Sequence, residues 1–142
     1  MSEERIDLRG GSSQQDHLAV YQEIDISLDP FPAGGGISSL ESVWMGVPVI
    51  SLYGDRVVAR AGIVLCPLGL GDWVVTGESE YIELAQDWNQ RLGELEQLRS
   101  GLRPRVEEQT MVFLEQVEEV YRRIWQRWCR GEKASPLNVS EN

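Results

Sequence analysis

The stretch Asp29–Pro48, DPFPAGGGISSLESVWMGVP, decides how the rest of the chain is read. It opens with Pro30 and Pro32, passes through Gly34-Gly35-Gly36 and turns polar at Ser38-Ser39. ESVWMG follows and is closed by Gly46 and Pro48, a helix-stop signal. Alternating Ile24, Ile26 and Leu28 precede the stretch, and the β-branched run Val47, Val49, Ile50 follows it. The order is strand, glycine loop, short helix, strand, the phosphate-handling half of a βαβ unit. Glycines let a backbone approach an anion closely, and the first turn of the helix offers free N–H groups and about half a positive charge. The same residues also suit a plain strand-to-helix turn with a serine cap, and the pattern alone does not separate the two. The loop is not a Walker A sequence, because no Gly-Lys-Ser/Thr follows, and Ser39 stands where GxGxxG has its third glycine.

Upstream, Arg5–Arg9 (RIDLR) alternates as a short strand leaving into Gly10-Gly11. Ser12 or Ser13 caps a helix over Gln14–Glu23, with Asp16 in the favourable first turn, Leu18 and Tyr21 inward and His17 beside that stripe. Ile24–Leu28 is the next strand, and its end points Asp29 towards the glycine loop. The helix after the loop spans about Ser38–Met45, with Leu40, Val43 and Trp44 as its buried face and Glu41 left near its first turn. Downstream come a strand over Val49–Leu52, a helix over Arg56–Leu65 with Val57, Ala61 and Val64 inward, and a short strand at Trp73–Val75. Ser79 caps a helix over Glu80–Gln90 with a Tyr81, Leu84, Trp88 stripe. Gly93 divides it from a helix over Glu94–Arg103 that turns Leu95, Leu98 and Leu102 inward. The last helix, Glu107–Arg130, carries Phe113, Val117, Val120, Tyr121, Ile124 and Trp128 at helical spacing and needs a partner surface. Residues 1–130 read as one folded part and residues 131–142 as a small, polar, disordered tail. The fold class is α/β: a partial Rossmann-like parallel sheet with a helical C-terminal extension packed back on it. Its first edge looks uncovered, and an upstream strand or another chain would protect it.

A chain of 142 residues with 42% hydrophobic content supports one core but not two. The formal charge of −10 disfavours nucleic acid or an anionic membrane as the main partner. Lys133 is the only lysine among the 13 basic residues, so an anion site in the folded part must use Arg, backbone N–H groups or a helix end. Cys66 and Cys129 show no metal-type spacing and read as reduced thiols of a cytoplasmic protein, which makes the Asn138-Val139-Ser140 sequon a chance match. No segment suits a signal peptide or a membrane span. There is no Ser/His/Asp set, no metal cluster and no cofactor motif. His17, the sole histidine, is a structural residue or one placed above the strand ends to meet a base. Glu41 can accept from ribose hydroxyls or serve as a solvated acid at a helix start. Arg56 and Arg60 can reach a diphosphate or pair with Asp55.

At IDISLDPFPAGGGISSLESVWMGVPVISLYGDR the chain resembles the C-terminal catalytic lobe of the O-GlcNAc transferase and SPINDLY family, and the likeness extends from RIDLRG through SQQDHLAVYQEID to YRRIWQRWCRG. It is nearer to SPINDLY-like bacterial proteins carrying tetratricopeptide repeats than to the animal enzymes. The resemblance implies half of one lobe of a two-lobed GT-B glycosyltransferase, which moves a sugar from a UDP- or GDP-sugar donor to Ser or Thr. It implies that His17 packs on the base and that Ser12 and Gln14 contact the base edge. Gly35, Gly36, Ile37 and Ser38 then form the phosphate turn, and Glu41 holds the ribose. Three departures stand out. Ile37 replaces a turn threonine, Gln14 replaces a base-contacting lysine, and the Ser-Pro-Leu segment expected between Arg105 and Phe113 is missing. The upstream part of the lobe with its diphosphate-assisting lysine, and the N-terminal lobe, fall outside this sequence, so no catalytic residue is assigned. The missing lobe or a repeat domain is an expected partner. The alternative is a degenerate, non-catalytic interaction or scaffold module derived from that lobe. A generic Rossmann-type nucleotide binder is a third reading.

Overall fold

A computed structural model describes residues 5–137. They divide into two compact units, which meet in the sequence between Arg103 and Pro104. In the first unit the elements run α1 (Gln14–Val20), a 3-10 turn (Tyr21–Glu23), β1 (Ser27–Leu28), α2 (Ile37–Trp44) and β2 (Val49–Leu52). A long 3-10 helix (Val57–Leu68), a short one (Gly71–Trp73), β3 (Val74–Val75), α3 (Glu78–Trp88) and the start of α4 (Leu92–Cys129) follow. The sheet is parallel, with β2 in the centre: Ser27 and Leu28 pair with Val49 and Ile50, and Ser51 and Leu52 pair with Val74 and Val75. The expected α/β class and parallel sheet are therefore what the chain forms, with β1 as an edge.

β2 is where the core sits. Val49, Ile50 and Ser51 are all buried, as suits a strand covered on both faces. Val43, Val47, Leu65, Leu70 and Trp73 close around it, joined by Leu95 and Leu102 from the first part of α4. Each such aliphatic side chain contributes about 1.5–3 kcal/mol by leaving water. Arg99 fastens α4 to the turn after α2, donating to Gly46 O at 3.0 Å and pairing with Asp25. Gly46 takes a positive φ of 81° there, so a side chain would be strained.

Several local expectations are corrected. Arg5–Arg9 forms no strand, and Arg9 instead turns its guanidinium onto Glu23 and Asp7. The face α2 buries is Ser39, Ser42 and Val43, while Leu40 is exposed. The serines are drawn in because hydroxyls are wanted there: Ser42 donates to Val47 O at 2.9 Å and lies 2.7 Å from Ser27 Oγ. The helix expected from Arg56 is a 3-10 helix whose buried residues, Ala59, Gly62, Leu65 and Leu68, recur every third position. With three residues per turn that spacing forms one stripe, and the 3.6-residue pattern had selected other positions. Val57 is accordingly 83% exposed; the side chain of Ala61 lies outside the described residues. α3 is capped by Gly77, whose N–H reaches the Glu80 carboxylate at 3.2 Å, and not by Ser79. Its expected stripe of Tyr81, Leu84 and Trp88 does turn inward, and Trp88 packs on Trp73 with ring centroids 4.8 Å apart.

The division expected at Gly93 falls a few residues earlier, between the end of α3 at Trp88 and the start of α4 at Leu92, whereas Pro104 does not break α4. Proline removes one backbone bond, and good helix formers on both sides continue the helix past it. In the second unit Phe113 is 61% and Trp128 74% exposed. Gly131 ends the helix in the left-handed region, and Arg127 then turns to Glu132 and Ser135. The Asn138-Val139-Ser140 sequon lies outside the described residues.

Gly62 sets a sharp test of this packing. A Cβ there would lie 2.1 Å from Ser51 Oγ and 2.5 Å from Ser51 Cβ, too close for a rotamer change to relieve. Gly62→Ala is expected to cost about 2–3 kcal/mol in urea unfolding. An unchanged midpoint would mean that the 3-10 helix does not press on β2 as described.

Candidate functional site

The glycine turn is built on a buried carboxylate. Asp29 follows β1, donates its N–H to Ile50 O at 2.9 Å and is 5% exposed. One carboxylate oxygen accepts from Gly35 N at 2.7 Å and Ser39 Oγ at 2.9 Å; the other accepts from Ser51 Oγ at 2.7 Å. Its backbone carbonyl accepts from Tyr81 Oη of α3 at 2.9 Å. Burial, and then the Asp29 charge, push the Tyr81 phenol up from its ordinary range. Among the described residues no buried side-chain polar atom is left without a partner. A buried charge is tolerated only on such terms.

The glycines follow from this geometry. A Cβ on Gly35 would come within 2.8 Å of Asp29 Oδ1 and Ser39 Oγ, so only glycine lets the turn close over the carboxylate. Gly36 has φ 56° and ψ −102°, a region that favours glycine, and faces open space. It is also the N-cap of α2, with its carbonyl taken by Leu40 N at 3.2 Å. Ser38 is held back towards Gly35, donating through both N–H and Oγ to Gly35 O at 3.3 and 3.1 Å. Ile37 points outward, 76% exposed.

α1 brings the second group of expected residues alongside. Ser13, rather than Ser12, caps it, accepting from Asp16 N at 3.2 Å. Tyr21 Oη donates to Ser38 O at 3.2 Å, which seats α1 on the start of α2. His17 meets the Tyr21 ring edge-on, centroids 5.5 Å apart, and its Nε2 lies 3.5 Å from Glu41 Oε2. Burial, and then Glu41, raise the Tyr21 phenol above its ordinary range. His17, Ser38 and Glu41 thus share one surface at the open end of α2. Ser12 and His17 line an adjoining concavity of about 450 Å³ with Arg9, Asp16 and Glu23. There Arg9 holds Glu23 through two bonds, at 3.0 and 2.6 Å, and its hydrogen bonds keep that carboxyl below the usual range. Gln14 opens α1 with an exposed side chain and does not line the concavity. Arg60 donates to Asp55 O at 2.9 Å, so the local pairing prevails for that residue.

Sequence reasoning pointed Asp29 at the loop but did not name it, Tyr21, Ser39 or Ser51 as site-building residues. The available signal was an acid between an apolar strand and three glycines, with serines one turn into the helix and on the next strand. Among the described residues no group of His, Cys, Asp and Glu could hold a metal ion, and no helix is long and apolar enough to cross a membrane.

A parallel α/β sheet whose glycine turn opens a helix beside a histidine and an acid defines a Rossmann-like lobe. No family model matches the chain. It is 36% identical over 122 residues to the "Probable UDP-N-acetylglucosamine--peptide N-acetylglucosaminyltransferase SPINDLY" of Hordeum vulgare, covering 82% of this chain and 13% of that protein. The protein of the same name in Arabidopsis thaliana is 34% identical over 125 residues, covering 84% and 14%. A mutant of the Thermobaculum terrenum O-GlcNAc transferase superposes with a TM-score of 0.79 at 37% identity, over 90% of this chain and 26% of that one. The chain therefore belongs by homology to the SPINDLY and O-GlcNAc transferase family, and it spans about one eighth of the length of its curated relatives. Its fold matches part of a GT-B lobe of that family.

Removing the carboxylate tests the foundation of the turn. Asp29→Ala leaves Gly35 N–H, Ser39 and Ser51 without their acceptor and is expected to cost about 3 kcal/mol in chemical denaturation. Asp29→Asn keeps the shape and should cost less. A loss below about 1 kcal/mol for the alanine variant would show that the three donors find other partners.

Proposed function

We propose that this chain is the nucleotide-sugar-binding portion of a protein O-glycosyltransferase of the SPINDLY and O-GlcNAc transferase type. The observation that carries the reading is the juxtaposition at the open end of α2. Gly36 leaves space above the first turn, while His17 and Glu41 stand 3.5 Å apart on its flank. Backbone N–H groups and the positive end of α2 suit the diphosphate of a UDP- or GDP-sugar. The Glu41 carboxylate suits ribose hydroxyls, and the half-exposed imidazole of His17 suits a base face. Ser12 and the concavity beside it offer polar groups to the base edge; Gln14, at the head of α1, is the second candidate for that contact. In transfer, the diphosphate leaving group would be stabilised by the N-terminus of α2. Placing the donor against a Ser or Thr acceptor needs a second lobe, which makes that lobe the expected partner.

Ile37 favours a second reading. An exposed aliphatic side chain at the first position of α2 presents apolar surface where the diphosphate would sit. A derived interaction module that no longer takes a donor would tolerate it.

One binding panel separates the two. UDP, GDP and their sugar conjugates at millimolar concentration are expected to raise the melting temperature by roughly 3–6 °C. His17→Ala and Glu41→Ala should each reduce that rise while leaving the unliganded melting temperature within about 2 °C, since both side chains are substantially exposed. If no nucleotide moves the transition, donor binding by this chain is wrong and the interaction module stands.

A further inference from the structure

α1 carries part of the candidate site but has little of its own to hold it in place. It spans Gln14–Val20, none of its residues is buried, and the His17 side chain is about half exposed. Tyr21, the residue that follows α1, is 8% exposed and is the buried anchor of this stretch. Its ring meets His17 edge-on, its hydroxyl donates to Ser38 O at 3.2 Å, and Glu41 lies near enough for its charge to act on the phenol. One side chain is therefore within reach of all three groups at the open end of α2.

The bond to Ser38 is not one that α2 needs for its own sake. Ser38 lies in the first turn of α2, where its carbonyl belongs to the helix ladder, and a carbonyl oxygen has a second lone pair to offer. Taking the phenol hydroxyl away leaves that ladder intact. What the hydroxyl adds is location. It ties together residues 17 positions apart in sequence and sets how far the His17 ring stands from the N-terminus of α2. A second link, His17 Nε2 to Glu41 Oε2, is 3.5 Å long and joins two partly exposed side chains, too loose to set that distance. Burial, and then Glu41, raise the phenol above its ordinary range, so it stays protonated and able to donate at neutral pH.

We infer that Tyr21 is a positioning residue of this site: it fixes the α1 segment against the first turn of α2, so that one nucleoside diphosphate meets His17 with its base and the glycine turn with its phosphates. The inference rests on the donor-binding reading above and adds to it the residue that couples the two ends of the ligand. Such coupling strengthens binding because contacts already in place do not have to be ordered when the ligand arrives.

Tyr21→Phe keeps the buried ring and removes the bond. Calorimetric titration of the whole chain with UDP and with GDP is expected to show roughly fivefold weaker binding to Tyr21→Phe than to the unaltered chain. The circular dichroism should be unchanged and the melting temperature lowered by less than about 6 °C. In a His17→Ala background the same substitution should weaken binding by less than about twofold, because the ring it positions is gone; a general loss of stability would take the same factor in both backgrounds. His17 is the sole histidine, so its imidazole proton resonances report the ring contact directly. In the unliganded chain Tyr21→Phe should move them toward the values of an exposed imidazole. No binding by the unaltered chain would overturn the donor reading and this inference together. Binding that Tyr21→Phe leaves unchanged, an equal loss in both backgrounds, or imidazole resonances that stay where they were would each overturn the positioning role alone.

Discussion

The Asp29 carboxylate is the contact on which this fold turns. It joins the end of β1 to the glycine turn, to the first turn of α2 through Ser39, and to β2 through Ser51. Tyr81 adds α3 through the backbone carbonyl of the same residue. A buried charge satisfied by three donors is a demanding arrangement, because losing any donor leaves part of the desolvation cost unmet. That demand gives the turn a single shape before any ligand arrives. It also changes what the glycines mean. Gly35 does approach an anion closely, but the anion belongs to the protein.

The same logic explains why α2 buries serines. In an ordinary amphipathic helix the inward stripe would be aliphatic, as Leu40, Val43 and Trp44 suggest. Here Ser39 and Ser42 face the sheet because the strands beneath them carry polar groups that need partners: Asp29, Ser27 and the Val47 carbonyl. Leu40 is displaced outward by one helical step. A small polar seam between helix and sheet also permits close approach, and that closeness brings the turn over the carboxylate.

Much of the architecture was legible. β2 was read to the residue, α1, α2 and α3 to within a few residues at their ends, and the parallel α/β class followed from the order of elements. Legibility failed where a local rule was overruled by packing or by a different period. Arg5–Arg9 alternates like a strand, yet Arg9 finds two carboxylates and the segment joins no sheet among the described residues. Pro104 looks like a stop, but one missing bond does not end a helix whose neighbours are strong formers. The serines of α2 look like surface and are core, because the residue that recruits them lies ten positions away for Ser39 and is silent in any helical wheel. His17, expected beside the glycine turn, lies 3.5 Å from Glu41, whereas Tyr21, which reaches both the His17 ring and the Ser38 carbonyl, reads from its spacing only as packing.

The 3-10 helix over Val57–Leu68 sets how a change in its own length would be felt by the sheet. Its buried positions repeat every third residue, so removing or adding three residues advances the helix by one full turn and presents the same face to β2. In an α-helix the same change rotates everything beyond it by about 60° and buries the wrong side chains. A change of three residues is therefore expected to disturb the buried face of this segment less than that of α1, α2 or α3.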